Sequence, residues 1–209
     1  MNPRISVRAF AEMISLPAYE QVRILTEQKY PRQGPQAFKV PYYQIALQGI
    51  RNFYTSGNNS KELAAARIRA KSLNPESKRD NNLRVLTNFG KSRQAIRKLS
   101  ILPQPYLIAQ PAVGVDLKLK FDISAKDGGK DVRIFYNPRT LPIEPITAKL
   151  TLEIAHWILI QNSGILQCNA LEYIDLVNGK VYKISHVSSR TSKLITANAK
   201  IIASLWPNI

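Results

Sequence analysis

The chain of 209 residues carries a formal net charge of +16, and 44% of its residues are hydrophobic. This length fits one domain, or one domain with an appended helical lobe, and this apolar fraction permits a sizeable core. So large a charge favours an anionic partner, of which nucleic acid is the commonest, although a basic surface that serves only solubility is the alternative.

The composition argues against secretion, membrane insertion and disulfide bonding. The single cysteine, Cys168, excludes an internal disulfide and a cysteine-rich zinc site, and its neighbours favour a half-buried apolar role. The N-terminal segment lacks the apolar stretch of a signal peptide, and no apolar run reaches the about 18 residues of a membrane-spanning helix. We therefore expect a cytoplasmic protein in a reducing compartment, without a membrane partner.

The first half of the chain has the pattern of a strongly basic helical lobe, which we place at residues 1–102. Ser6 and Ser60 are candidate N-caps, proline and glycine residues predict a loop over 30–40, and Gly90 interrupts the last helical region. Apolar residues recur at helical spacing over 7–15, 19–25, 42–55, 61–72 and 77–99.

Residues 103–209 change to a pattern typical of a mixed α/β core. Gly128-Gly129 and Asn178-Gly179 are hairpin signals, and Gly164 is expected to end a buried helix. Strands are predicted over 106–109, 115–123, 131–137, 171–176 and 181–184, and helices over 146–161 and 189–205.

Basic side chains concentrate between residues 61 and 98, a stretch that contains eleven lysines and arginines but only three acidic residues. Helical clusters of this kind can follow phosphates by charge, and arginine offers bidentate phosphate contacts. A solvated helix face is the alternative. The predicted nucleic-acid contacts are Lys61, Arg67, Arg69, Lys71, Lys78, Arg79, Arg84, Lys91, Arg93, Arg97 and Lys98, joined by the hairpin residues Lys118, Lys120, Lys126 and Lys130.

The stretch 115–137 contains two predicted strands around a glycine-rich turn. Asp122 lies near the end of the first strand, and the second ends in Ile134-Phe135-Tyr136-Asn137. With the predicted helix and strand pair that follow, this layout resembles the core of the PD-(D/E)XK nucleases, especially their RecB-like branch. The resemblance spans roughly the C-terminal half of the chain. It implies a restriction-endonuclease-like mixed sheet flanked by helices, to which the N-terminal lobe is an addition.

In that family two carboxylates hold a divalent metal that activates the attacking water, and a lysine orients this water. Asp122 falls at the position of the first carboxylate, but Phe135 occupies that of the second and Asn137 that of the lysine. Neither side chain can supply the missing chemistry. We therefore expect a degenerate site without catalytic residues, bound metal or cofactor. The Gln-x-x-x-Tyr motif of the RecB-like branch is also absent from 146–161.

Three functions remain open. We favour a nucleic-acid-binding protein, for DNA more than RNA, on an inactive nuclease scaffold, such as a non-catalytic subunit of a DNA-processing or prokaryotic defence complex. A divergent magnesium- or manganese-dependent nuclease would use Asp116, Asp122, Glu144 and Lys149, although Lys149 and Glu153 are equally an ordinary helical ion pair. A protein–protein adaptor for an acidic partner is the third.

Overall fold

A computed structural model of the protein describes residues 2–30, 42–163 and 167–209. The loop predicted over 30–40 lies outside the described residues except for Tyr30, and so does the predicted helix end at Gly164. The helices are α1 (Val7–Ile14), α2 (Ala18–Lys29), α3 (Gln44–Thr55), α4 (Ser60–Lys71), α5 (Glu76–Lys91), α6 (Pro145–Ser163) and α7 (Ser189–Leu205). The strands are β1 (Arg4–Ser6), β2 (Leu99–Ile101), β3 (Leu107–Ala112), β4 (Val115–Leu119), β5 (Ile123–Asp127), β6 (Lys130–Asn137), β7 (Leu171–Asp175) and β8 (Val181–Lys183).

A five-stranded sheet with the order β2-β5-β6-β7-β8 forms the centre of the molecule. Strands β6 and β7 run parallel, and helix α6 provides the crossover connection that a parallel pair needs. The other pairs of this sheet are antiparallel. The predicted hairpin turn between β5 and β6 is confirmed. Gly128 and Gly129 have φ values of 55° and 83°, which glycine adopts readily.

The single strand predicted over 115–123 is wrong. Its first part is β4, which pairs with β1 and β3 in a separate three-stranded sheet, and its last residue begins β5 in the large sheet. The sequence pattern does not reveal this break, because Leu119, Phe121 and Ile123 are all buried and the two-residue alternation continues across it. Asp122 therefore directly precedes a strand instead of lying near the end of one.

Two apolar clusters cover the two faces of the large sheet. One cluster is formed by the three-stranded sheet and by helices α1, α6 and α7, and Phe135 of β6 points into it. The other combines α3, α4 and α5 with the opposite face, including Ile134 and Tyr136 of the same strand. Each cluster draws residues from both sides of position 102. The helices and the two mixed sheets of the described residues confirm the expected mixed α/β class.

Helices that would be long and apolar enough to cross a membrane are absent from the described part of the chain.

Candidate functional site

A cleft of about 530 Å³ opens where the chain passes from β4 to β5, beside the end of β6. Helices α1 and α3 form its other walls. Its charged lining consists of four basic and two acidic side chains, so positive charge is in excess. These side chains are Arg8, Glu12, Arg51, Lys120, Asp122 and Arg139.

Asp122 reaches the cleft because the β5–β6 hairpin brings it beside the end of β6. Its backbone N–H donates to the Ile134 carbonyl at 2.9 Å, and its Oδ2 accepts from the Tyr136 N–H at 2.8 Å. The side chain is 12% exposed. The predicted proximity of Asp122 to Phe135 and Asn137 thus arises from an antiparallel pair, in which the start of one strand meets the end of the next.

Arg8 of α1 holds the Asp122 carboxylate with both terminal nitrogens. Nη1 lies 3.1 Å from Oδ2 and Nη2 lies 3.2 Å from Oδ1, and Nη1 also donates to the Tyr136 carbonyl at 3.1 Å. Burial acts to lower the pKa of Arg8, but Asp122 and weaker neighbours outweigh it, so the pKa is raised and the guanidinium stays charged. The cation beside Asp122 is therefore supplied by the protein itself.

Phe135 is a packing residue. Its ring centroid lies 4.7 Å from that of Phe121 and 6.0 Å from that of Tyr173, and the Arg8 guanidinium carbon lies 5.4 Å from the Phe135 centroid. Such a contact between a cation and an aromatic ring adds to the hold on Arg8. The position at which the resemblance implies a second carboxylate thus carries a ring that supports an arginine.

Asn137 organises the turn that follows β6. Its Nδ2 donates to the Leu141 carbonyl at 2.9 Å and to Asp175 Oδ1 at 3.2 Å, and its Oδ1 accepts from the Arg139 N–H at 3.2 Å. The side chain is 2% exposed. The position at which the resemblance implies a lysine therefore carries an amide that fixes a turn and presents Arg139 to the cleft.

The other cationic side chains of the cleft differ in whether a carboxylate of the protein pairs with them. Arg139 Nη2 pairs with Glu12 at 2.9 Å, which ties α1 to the turn after β6. Within the described ranges, no carboxylate lies within 4.0 Å of the charged nitrogens of Arg51 or Lys120. These two side chains are therefore available to an anion.

Helix α3 turns a polar face to the cleft. Gln44, Gln48 and Arg51 recur at spacings of four and three, so they share one side of the helix. Gly49 lies on another side, where a Cβ atom would stand 2.4 Å from the Ala66 Cβ of α4. The close contact of α3 with α4 thus depends on this glycine.

The basic residues predicted on the helices divide into two groups. Lys61, Arg69, Lys71, Lys91, Arg93 and Lys98 are exposed. The others are occupied within the protein: Lys78 is buried, Arg67 and Arg84 donate to the carbonyls of Leu86 and Pro138, and Arg79 pairs with Glu76 and Asp80.

Arg97 belongs to a partly buried ionic network away from the cleft. Its Nη2 lies 2.7 Å from Asp127 and its Nη1 lies 2.6 Å from Glu172, which also pairs with Lys183 at 2.8 Å. Burial acts to lower the pKa of Arg97, but the two carboxylates raise it by more, so the net shift is upward. This arginine fixes the segment before β2 against β5 and β7.

The four hairpin lysines are not brought together. Lys120 lines the cleft, and Lys118 lines an adjoining pocket that includes Arg8 and Asp122. Lys126 and Lys130 flank the β5–β6 turn, at the end of the hairpin farther from Asp122.

The residues of the alternative metal site also lie apart. Of Asp116, Asp122, Glu144 and Lys149, only Asp122 lines the cleft. Asp116 pairs with Arg4 at 3.3 Å, and Lys149 pairs with Glu153 at 3.8 Å. In the part of the chain that the structure describes, no group of three or more histidine, cysteine or acidic residues is arranged to hold a metal ion.

Cys168 is half-buried, as the sequence predicts, and its Sγ lies 3.3 Å from His156 Nε2. Burial raises the pKa of this thiol, which opposes formation of the reactive thiolate.

Three of the four cationic residues of the cleft were missed by the sequence analysis, namely Arg8, Arg51 and Arg139. They come from α1, α3 and the turn after β6, which meet only in the folded protein. The single signal in the sequence is the spacing of Arg8 and Glu12, which places both on one face of α1.

No family model matches the chain, and the comparison with curated proteins likewise gives no match. Among solved structures, the chain is similar to one described as "Crystal structure of SSO0001", with 16% sequence identity and a TM-score of 0.35, over 90% of this chain and 85% of that chain. A TM-score this low is not evidence of a shared fold.

Proposed function

We propose that the protein binds nucleic acid in the cleft beside Asp122 without cleaving it. The bidentate pair of Arg8 and Asp122 carries this proposal. A divalent metal would have to displace a charged, half-buried guanidinium from the one carboxylate that stands at the expected position. The cleft therefore favours an anionic ligand over a metal.

The order of elements supports a restriction-endonuclease-like scaffold as the origin of the cleft. The β5–β6 hairpin, helix α6 and the β7–β8 pair follow one another as in the PD-(D/E)XK family, and Asp122 faces the end of β6. Phe135 and Asn137 are committed to packing and to hydrogen bonds. We take this as support for a scaffold that has exchanged catalytic groups for structural ones.

The distribution of charge supports nucleic acid as the ligand. Arg51 and Lys120 are cations of the cleft that pair with no carboxylate of the described residues, and α4, α5 and the segment after α5 carry further exposed basic residues. Contacts of this kind bind the phosphate backbone without reading bases. We expect DNA to bind ahead of RNA, and we propose that the protein acts within a protein complex.

The test compares two double variants that remove the same charge. Arg51→Ala with Lys120→Ala should weaken binding of a labelled DNA oligonucleotide about tenfold at low salt and reduce the slope of log K against log salt by about two. The matched control, Lys193→Ala with Lys200→Ala, removes two exposed lysines of α7 and should change affinity less than about twofold. Fluorescence anisotropy over a salt series, with DNA and RNA in parallel, measures both quantities.

Two results would contradict the proposal. Equal losses in the two double variants would show general charge attraction and no specific cleft. Failure of the unaltered protein to bind DNA or RNA at low salt would refute the proposal.

A further inference from the structure

A second pocket of about 560 Å³ continues the cleft on the side of α6. The two share Glu12, Tyr42, Tyr43, Asn137 and Arg139, so they form one depression with two differently built parts. The first part has an excess of cationic side chains, whereas the second combines apolar walls with the charged residues Glu12, Arg139 and Glu144. Its apolar walls are Tyr42, Tyr43, Leu141, Pro142 and Ile143.

The tyrosine wall is held in place by hydrogen bonds. Asn81 Nδ2 donates to the Tyr42 hydroxyl at 3.1 Å, and Asn82 Nδ2 donates to the Tyr42 carbonyl at 2.7 Å. Tyr43 packs edge-on against Tyr42, with 4.9 Å between the ring centroids. Tyr42 nevertheless remains 40% exposed. An aromatic ring fixed in this way loses little conformational freedom when a ligand stacks on it.

The Leu141 part of the pocket is also held by a hydrogen bond. Asn137 binds the Leu141 carbonyl, which fixes the turn, yet the Leu141 side chain is 74% exposed. An exposed leucine side chain and an exposed tyrosine ring in the lining of one pocket offer apolar surface to a flat ring. The neighbouring cations Arg51 and Lys120 are free to meet an attached anion.

Stacking faces beside unpaired cations match the two parts of a nucleotide, its base and its phosphate. A base inside a duplex cannot enter such a pocket without leaving the stack. We infer that the depression takes single-stranded nucleic acid, with one unpaired base between Tyr42 and Leu141 and its backbone phosphate at the cations of the cleft. This inference rests on the proposed function and specifies the form of nucleic acid that the site binds.

The test uses three probes with the same number of phosphates per strand: a single-stranded DNA oligonucleotide, the same strand with every base removed, and the duplex. At one salt concentration, the base-containing single strand should bind about tenfold more tightly than the abasic strand and more tightly than the duplex. Tyr42→Ala should reduce affinity for the base-containing strand about tenfold and leave the abasic strand unchanged.

Three further variants separate stacking from damage to the fold. Tyr42→Phe keeps the ring and should keep the affinity, while Leu141→Ser alters an exposed side chain and should weaken binding of the base-containing strand only. Tyr19→Ala removes an exposed ring from α2 and should have no effect.

Equal binding of the abasic and base-containing strands would overturn the inference while leaving the proposed function intact. Preference for the duplex would also overturn it. Failure of all three probes to bind would refute the proposed function itself.

Discussion

Asp122 accepts hydrogen bonds from three nitrogen donors, two from Arg8 and one from the backbone of Tyr136. The carboxylate thereby fastens α1 to the end of β6. In a metal-dependent nuclease the corresponding oxygens would face a cation and solvent. Here they hold a helix, so the acidic residue beside Phe135 and Asn137 has a structural role.

Replacing Asp122 by alanine should destabilise the protein by about 2–4 kcal/mol, because a half-buried Arg8 guanidinium and the Tyr136 N–H lose their partner. Urea unfolding measures this change. Asp116→Ala is the matched control, since its pair with Arg4 is more exposed and should contribute less than about 1 kcal/mol. Similar losses for the two variants would contradict the structural role of Asp122.

Buried tyrosines make the protein sensitive to alkali. Burial raises the pKa of Tyr54 and of Tyr173 to about 12. The unfolded chain loses these protons near pH 10, whereas the folded protein retains them until about pH 12. The contribution of each tyrosine to stability is thus complete below pH 10 and is lost between pH 10 and 12, by about 2 kcal/mol for each.

Tyr173→Phe should therefore flatten the decrease in the free energy of unfolding between pH 10 and 12, as measured by urea unfolding at fixed pH values. The exposed Tyr19→Phe should leave the decrease unchanged. An unaltered decrease in Tyr173→Phe would show that this ring is accessible to water in the folded protein.

At the scale of the elements, α3 positions one wall of the cleft and depends on its contact with α4. Gly49 permits this contact, because an added Cβ would stand 2.4 Å from Ala66 Cβ and 3.3 Å from Leu86 Cδ2. Neighbouring backbones that approach this closely leave no room for a methyl group.

Gly49→Ala should lower the free energy of unfolding by about 1–3 kcal/mol and weaken nucleic-acid binding, since α3 must shift with Arg51. Gly90→Ala in α5 is the control. There the nearest atom to an added Cβ is Arg67 Nη2 at 3.3 Å, the end of a flexible side chain, so the change should be neutral or stabilising by up to about 1 kcal/mol. Thermal unfolding of both variants measures the difference. Equal stability of Gly49→Ala and the unaltered protein would contradict the close contact.

Most helices and strands could be predicted from hydrophobic period and turn residues, because those signals are local. Helix α7 has the predicted bounds, and the Asn178-Gly179 signal separates β7 from β8. The short strands β1 and β2 were missed, because a strand of three residues is too short to show an alternation of apolar and polar residues. The change of sheet at Asp122 left the alternation of buried residues intact and gave no signal at all.

At the scale of the whole molecule, the cleft depends on elements that are far apart in the sequence. Arg8, Arg51 and Arg139 lie more than 40 residues from one another and meet because helices cover both faces of one sheet. Composition predicted an anionic partner, but it could not distinguish cations that are committed within the protein, such as Arg97, from available ones, such as Lys120. That distinction requires the positions of the carboxylates.

The most direct test incubates the purified protein with labelled single-stranded and duplex DNA and RNA, with a chelator or with magnesium or manganese, and follows both complex formation and strand length on gels. We predict complexes whose affinity falls at least about tenfold from low to moderate salt and does not rise when metal replaces the chelator. Every strand should remain intact. Metal-dependent cleavage that disappears in Asp122→Ala would contradict the account, and so would the absence of any complex at low salt.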